Sequence, residues 1–207
     1  MAATVVDHPV VQDRLTRLRH VDTDRSRFRH ALHEVARLVV YESLRDLPVT
    51  PITVPTPLTE AQGATVTEPP MLVPILRAGL GMLDAALELV PDALVGFVGL
   101  RRDEQTLRSE KYLDTVPADL DGAAALVLDP MLATGGSMIQ TCRRLRDAGA
   151  GSIVAACILA APEGVAAVEA AALDVAIYTA AVDPGLNEVG FIVPGLGDAG
   201  DRLFGTA

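Results

Sequence analysis

The stretch LVLDPMLATGGSMI, residues 126–139, decides the fold and points to the chemistry. A short apolar strand ends in the carboxylate of Asp129, and a turn containing two glycines then enters a helix that Ser137 is expected to cap. Glycine lets the backbone approach an anion closely, and the N–H groups of residues 134–137 would point into the turn. The dipole of the helix favours a phosphate monoester at the same place. An ordinary strand–turn–helix unit is the alternative, whereas a P-loop is excluded because no Lys precedes the Ser.

Short apolar runs alternate with helical patterns on both sides of this stretch. We predict strands at 71–76, 94–100, 124–128, 153–159 and 175–179, and helices at 80–90, 137–148 and 163–171. The alternation predicts an α/β fold, with a central, mainly parallel sheet flanked by helices. Ligands of such folds bind at the carboxyl ends of the strands.

Further segments lie outside this alternation, within what we interpret as a single domain over residues 1–207. The first 48 residues predict two helices, one with Asp7 as its cap and Pro9 in its first turn, the other starting near Ser26. The remaining segments are an extended connection at 49–70, a polar, flexible arm at 101–121 inside the core of 71–180, and a C-terminal segment at 181–207.

Composition excludes several classes of protein. The formal charge of −10 argues against nucleic-acid binding, which needs a basic face. No apolar run is long enough to span a membrane, and the N-terminus lacks the layout of a signal peptide. Cys142 and Cys157 stand outside any Cys/His cluster, which argues against disulfides and structural zinc, and Cys142 is expected to be a packing residue.

Two groups of arginines follow predicted strands. Arg77, in PILRAGLGM, emerges where a parallel sheet presents its ligands, and a guanidinium there matches a phosphate or a pyrophosphate. A surface arginine beside packing glycines is the alternative. Arg101 and Arg102 head the arm and either close over a second anion or form part of a solvated charge run, together with Asp103 and Glu104.

The C-terminal GLGDAG, residues 195–200, fits G-x-G-x-x-G by letter. We reject a dinucleotide site, because the few residues that remain leave no room for a helix and an acidic ribose partner. A turn rich in main-chain groups, with the carboxylate of Asp198, suits a small planar amide ligand instead.

Four segments together resemble the uracil phosphoribosyltransferase family of type I phosphoribosyltransferases. They are DPMLATGGSM at 129–138, PILRAGLGM at 74–82, GLRRDE at 99–104 and FIVPGLGDAGDRLFGT at 191–206. The likeness covers essentially the whole chain. It implies the type I fold with a C-terminal hood that binds the base. The implied reaction, a pentosyl transfer, converts uracil and 5-phosphoribosyl 1-diphosphate (PRPP) to UMP and diphosphate in pyrimidine salvage.

The resemblance also implies roles for individual residues. Those implied to be catalytic are Arg77, Arg102 and Asp198. Those implied to bind PRPP are Arg77, Arg102, Asp129, Pro130, Met131, Leu132, Ala133, Thr134, Gly135, Gly136, Ser137 and Asp198. Those implied to bind uracil are Ile192, Gly197, Asp198 and Ala199. Mg²⁺ would be carried mainly by the diphosphate of PRPP, with no protein metal site.

Partners and location follow from the same resemblance: a homodimer or higher homo-oligomer, GTP as a candidate allosteric activator, no nucleic acid, no membrane, and a cytoplasmic location.

Three residues depart from the family pattern. Arg101 stands where Tyr is common, Phe97 where His is frequent and Phe191 where Tyr is frequent. We interpret Phe97 as a change in the core and Phe191 as the loss of a hydroxyl near the base pocket.

Two other functions stay open from the sequence alone. One is a phosphoribosyltransferase for another base. The other is a nucleotide-sensing regulator that keeps the fold and binds RNA or DNA, against which the acidic charge stands.

Overall fold

The computed structural model describes residues 3–102 and 109–205, with the side chains of Arg102 and Ser109 outside the description. The helices are α1 (Pro9–Arg19), α2 (Arg25–Ser43), α3 (Leu80–Leu87), α4 (Gly136–Asp147), α5 (Pro162–Ala170) and α6 (Ala199–Phe204). The strands are β1 (Thr4–Val5), β2 (Thr50–Pro55), β3 (Glu60–Thr65), β4 (Met71–Leu76), β5 (Val98–Arg102), β6 (Ser109–Asp114), β7 (Ala125–Leu128), β8 (Met131–Leu132), β9 (Ile153–Ala160), β10 (Val175–Val182), β11 (Gly185–Leu186) and β12 (Ile192–Val193). None of the helices described is long and apolar enough to cross a membrane.

The described strands build one large sheet in the order β1-β10-β9-β7-β4-β5-β6, with β8 added beside β9. All of its pairings are parallel except that between β5 and β6. Two small antiparallel pairs, β2 with β3 and β11 with β12, lie outside it. The prediction of a central, mainly parallel sheet flanked by helices is confirmed.

The central strand β7 is apolar throughout because both of its faces are covered. Leu126 and Leu128 belong to a core cluster shared with residues of α1, α2 and α3. Val127, between them, points to the opposite face and belongs to the cluster of α4 and α5. Burial on both faces explains why this strand reads as a continuous apolar run rather than an alternating one.

Several predicted boundaries are wrong, and local hydrogen bonding explains them. His8, not Asp7, caps α1, because its ring nitrogen accepts from the Val10 amide. Gly135 precedes α4 without a side-chain cap, so Ser137 lies in the first turn of that helix. β5 begins at Val98, later than expected, and Phe97 precedes it and is only partly buried, which contradicts the core interpretation of that residue.

Two segments predicted to be unpaired contain antiparallel strands. The connection at 49–70 folds into the hairpin of β2 and β3, and the arm at 101–121 contains β6, which pairs with β5. β3 and β6 lack an apolar stripe, and the Pro- and Thr-rich β2, whose Ile52 and Val54 alternate, was interpreted as an extended connection without a pairing partner. Asp103, Glu104 and the rest of 103–108 lie outside the described residues.

Two buried threonines differ in hydrogen bonding and make a stability test. Both are fully buried, but the Thr141 hydroxyl has no partner among the described residues, whereas the Thr179 hydroxyl contacts the carbonyls of Ile158 at 3.2 Å and Ala181 at 3.0 Å. We expect Thr141→Val to raise the free energy of unfolding by about 1 kcal/mol, because it removes an unpaired polar group.

The matched variant, Thr179→Val, should lower the free energy of unfolding by about 1 kcal/mol, since it removes a bonded hydroxyl. Urea denaturation of both variants gives the comparison. Equal losses of stability in the two would contradict this account of the Thr141 hydroxyl.

Candidate active site

The parallel strands bring the predicted site residues to one edge of the sheet. β7 and β4 are neighbours, with Pro74 beside Leu128, so Asp129 and Arg77 follow adjacent strands at the same end of the sheet. A Cβ on Gly79 would lie 2.4 Å from the Leu128 carbonyl oxygen, so only glycine lets the turn after β4 pack against the end of β7.

The turn after β7 presents main-chain amides to a cavity. Its first part is fixed, because the Pro130 carbonyl accepts from the amides of Ile158 and Leu159 and because β8 pairs with β9. Gly135 then takes a φ of +81° and leads into α4, whose first N–H groups have no acceptor within the helix. A cavity of about 130 Å³ is lined by Asp129, Met131, Leu132, Ala133, Thr134, Gly135, Gly136, Ser137 and Met138.

Only some of the residues predicted to bind PRPP line this cavity. Pro130 is not among the lining residues, and Leu132 is buried with its side chain in the core. Residues 134–137 all line the cavity, as expected for a turn that binds through its backbone.

Gly164 of α5, which sequence reasoning missed, supports the turn from behind. A Cβ at this position would lie 2.4 Å from the Ala133 carbonyl oxygen and 2.7 Å from that of Leu132. The carbonyls of Leu132 and Ala133, which lead into residues 134–137, are therefore packed against a helix backbone. No sequence motif marks this glycine, because its role depends on a contact between distant segments.

Asp129 is the carboxylate of this cavity. Desolvation by burial raises the pKa of Asp129 to about 7, and the Met131 amide, at 3.5 Å, opposes this only through a long hydrogen bond. Among the described residues, no group of three or more His, Cys, Asp or Glu side chains forms a metal cluster.

The arginines are placed differently from one another. The Arg77 guanidinium is half exposed and lies 3.8 Å from a carboxylate oxygen of Asp201. Arg101 donates to Glu110 across the β5–β6 pair at 2.7 and 3.0 Å, which ties the start of the arm to its return strand. The backbone of Arg102 ends β5, and its side chain lies outside the description.

A second cavity, of about 240 Å³, is formed by the C-terminal segment. It is lined by Met131, Ala133, Val189, Gly190, Phe191, Ile192, Gly197, Asp198 and Ala199. Asn187 shapes its rim, because its side-chain oxygen accepts from the amides of Val189 and Phe191 at 3.1 and 2.9 Å. Ile192 is buried, so its side chain belongs to the core and its backbone to the site.

The expectation that no helix follows GLGDAG is wrong. Asp198 caps α6, accepting from the Asp201 amide at 2.9 Å, and the helix is only six residues long. A helix that short fits after the turn, which the residue count alone did not suggest.

The two cavities adjoin, because Met131 and Ala133 line both. One offers main-chain amides and a helix N-terminus, which suit a phosphate. The other offers main-chain groups and apolar side chains, which suit a small planar ring. The site can therefore hold a ligand that carries a phosphate at one end and meets a base at the other.

The two cysteines take no part in this chemistry. Both are fully buried in the core, and burial raises the pKa of the Cys142 thiol to about 12. Its interpretation as a packing residue is confirmed.

Comparison with known proteins agrees with this geometry. A hypoxanthine-guanine phosphoribosyltransferase from Bacillus anthracis, 12% identical, superposes with a TM-score of 0.52 over 77% of this chain and 80% of its own, which shows the fold alone. The fold is that of the type I phosphoribosyltransferases.

Closer relatives fix the family. The family profile described as uracil phosphoribosyltransferase matches residues 5–206. A uracil phosphoribosyltransferase of Corynebacterium glutamicum (strain R) is 48% identical over 99% of this chain and 97% of its own. A solved structure of an Aquifex aeolicus protein is 37% identical, with a TM-score of 0.93 over 100% of this chain and 99% of its own. The chain belongs to the uracil phosphoribosyltransferase family.

Gly164→Ala tests whether α5 supports the turn of residues 134–137, which we name the phosphate turn. The added methyl group forces the Ala133 carbonyl away, so we expect kcat/KM for PRPP to fall about 10²-fold. Steady-state kinetics measures the change. The matched control is Gly151→Ala, whose Cβ would lie 2.2 Å from the Gly122 carbonyl oxygen at the opposite edge of the sheet. Equal losses in both variants would contradict a specific role for Gly164.

The raised pKa of Asp129 predicts how stability depends on pH. The folded protein binds a proton that the unfolded chain releases near pH 4, so this group's contribution to stability is lost as pH rises towards 7. We therefore expect Asp129→Asn to gain stability relative to the parent protein from pH 5 to pH 8, measured by urea denaturation at each pH.

Asp183 provides the contrast. Desolvation opposes its ionisation, but hydrogen bonds from Arg19 and from the Gly195 amide hold its pKa below the usual value. The stability it contributes is present above its unfolded pKa of about 4 and is lost in more acidic solution.

The Asp129→Asn prediction has its own contradicting outcome. If the difference in stability between Asp129→Asn and the parent protein were the same at every pH, that result would contradict the raised pKa of Asp129.

Proposed function

We propose that this protein transfers the 5-phosphoribosyl group of PRPP to N1 of uracil, releasing diphosphate and forming UMP, in pyrimidine salvage. The adjoining cavities at the edge of the sheet carry the proposal, because they match the two ends of UMP. Family membership over nearly the whole chain supports the same enzyme.

The phosphate end of PRPP binds at the turn of residues 134–137. Main-chain amides and the positive end of α4 attract the dianion without a lysine. Asp129, at the start of the turn, is placed to accept from ribose hydroxyls, and Gly164 holds the turn so that little reorganisation accompanies binding.

Arg77 is the residue we propose for the diphosphate. Cleavage of the C1–O bond leaves positive charge on the ribose and adds negative charge to the leaving group, which a nearby guanidinium stabilises. Arg77 follows β4, which pairs with the strand that precedes Asp129, and its guanidinium forms only a distant ion pair with Asp201, at 3.8 Å. A second contact from Arg102 is proposed from the family resemblance.

Uracil binds in the cavity formed by residues 189–199. Main-chain groups of Gly197 and Ala199 pair with the amide edge of the base, and Ile192 contributes its backbone. A main-chain N–H that donates to a carbonyl of uracil would face the amino group of cytosine, which is also a donor. A site of this kind therefore rejects cytosine. Asp198 is fixed here as the cap of α6, and it lines the base cavity.

Mg²⁺ fits this site as part of the substrate. The ion would be carried mainly by the diphosphate of PRPP, because Mg²⁺ commonly binds substrate phosphates and keeps several waters, and the described residues hold no group of three or more His, Cys, Asp or Glu side chains that could form a protein metal site. The ion would neutralise the diphosphate and so assist its departure.

The assembly and its regulation are proposals of the same kind. A homodimer or higher assembly is supported by the β2–β3 hairpin, which is exposed along nearly its whole length, because an isolated two-stranded hairpin is only marginally stable in water. Activation by GTP and a cytoplasmic location stay predictions from the family resemblance.

The proposed reaction is tested by assaying UMP formation from uracil, PRPP and Mg²⁺ with purified protein. Cytosine, hypoxanthine and orotate serve as competing bases in parallel reactions. We expect uracil to be used far better than the others. Failure to form UMP, or faster use of another base, would overturn the proposal.

Arg77→Ala tests the leaving-group contact. We expect kcat/KM for PRPP to fall by about 10²-fold or more, since one charge-stabilising donor is lost. Arg37→Ala is the control, because Arg37 is a half-exposed arginine paired with Glu88 on the helical face away from the strand edge. An unchanged kcat/KM in Arg77→Ala would remove Arg77 from the mechanism.

A further inference from the structure

The turn of residues 194–198 joins β12 to α6 and carries the main-chain groups proposed to bind uracil. Gly195 and Gly197 have φ angles of +62° and +81°, and the turn lies outside helices and strands. No ladder of sheet hydrogen bonds therefore fixes its shape. Its conformation depends on the groups packed around it.

Arg19 and Asp183 together hold both main-chain groups of Gly195. The Asp183 carboxylate accepts from the Gly195 amide at 2.9 Å, and Arg19 donates to the Gly195 carbonyl at 2.8 Å. Arg19 also donates to both oxygens of Asp183, at 2.7 and 2.6 Å. Asp183 is only 6% exposed, so these charge-assisted bonds are shielded from water.

Arg202 of α6 holds the next residue of the turn. Its guanidinium donates to the Leu196 carbonyl at 2.8 Å and to the His20 carbonyl at 2.9 Å, and it also donates to the Leu18 carbonyl. The same guanidinium lies 4.3 Å from the centre of the buried Phe28 ring. The turn is thus tied to the α1–α2 connection, whose flanking helices bury Leu18 and Phe28 in the core.

We propose that Arg19, Asp183 and Arg202 are positioning residues that set the affinity for uracil by fixing the turn of residues 194–198, an inference that rests on the proposed function. They act through the backbone of Gly195 and Leu196, which lead directly to Gly197 and Ala199 of the base cavity. The helices at the start of the chain therefore contribute to base recognition without lining the base cavity.

The test is the steady-state kinetics of Asp183→Asn and Arg202→Lys, with uracil and PRPP varied separately. Asn keeps an acceptor for the Gly195 amide but loses the charge, and Lys cannot bridge several carbonyls at once. We expect KM for uracil to rise about tenfold or more in each variant, with KM for PRPP within about twofold of the parent value. The preference for uracil over cytosine should fall in parallel.

Arg29→Lys is the matched control, because Arg29 also joins α2 to α6, donating to the Leu203 carbonyl at 2.9 Å, but does not touch the turn. We expect its KM for uracil to stay at the parent value. Thermal unfolding of each variant checks folding. If Asp183→Asn fails to fold, the KM for uracil of Arg202→Lys alone tests the proposal.

The inference is overturned if KM for uracil is unchanged in the folded variants, or if KM for uracil and for PRPP rise together as in a general loss of structure. Both results require a parent protein that forms UMP. A parent protein that forms none contradicts the proposed function itself, so the two failures are distinct.

Discussion

The carbonyl oxygens of Leu132 and Ala133 lie against the α-carbon of Gly164, so closely that a methyl group there would come within 2.4 Å of one of them. This close packing fixes the backbone that leads into residues 134–137. The phosphate turn depends on this contact, because it has two glycines and little side-chain bulk of its own. α5 therefore matters to the site although it lines neither cavity.

The two halves of the site are held by different means. The half of the site proposed to bind phosphate lies at the end of the central sheet. Its backbone is fixed because β7 and β8 both pair with β9. The base half has only the short pair of β11 and β12 and the six-residue α6. Side-chain to backbone hydrogen bonds replace strand pairing there, and arginines supply most of them because one guanidinium can reach several carbonyls.

The sequence predicted those parts of the fold whose signal is local. The β7–α4 unit was readable because strand, turn and helix follow one another within residues 126–147, and the apolar runs of the buried strands reflect cover on both faces. β3 and β6 were missed because they have no apolar stripe, and β2 because its prolines and threonines are typical of a connection. Most of the candidate site residues were proposed from local motifs of the same kind. Asp183 and Gly164 were not, since their partners lie far away in the chain and only the folded structure brings them together.

The pairing of Arg19 with Asp183 also constrains the order in which the molecule can be completed. The two residues are 164 positions apart, so a nascent chain emerging from the ribosome exposes the arginine long before its carboxylate has been synthesised. The strands that carry the phosphate turn come earlier and can assemble first. The turn proposed to bind the base can therefore reach this geometry only after Asp183 and Arg202 have been synthesised and have packed against α1 and the α1–α2 connection.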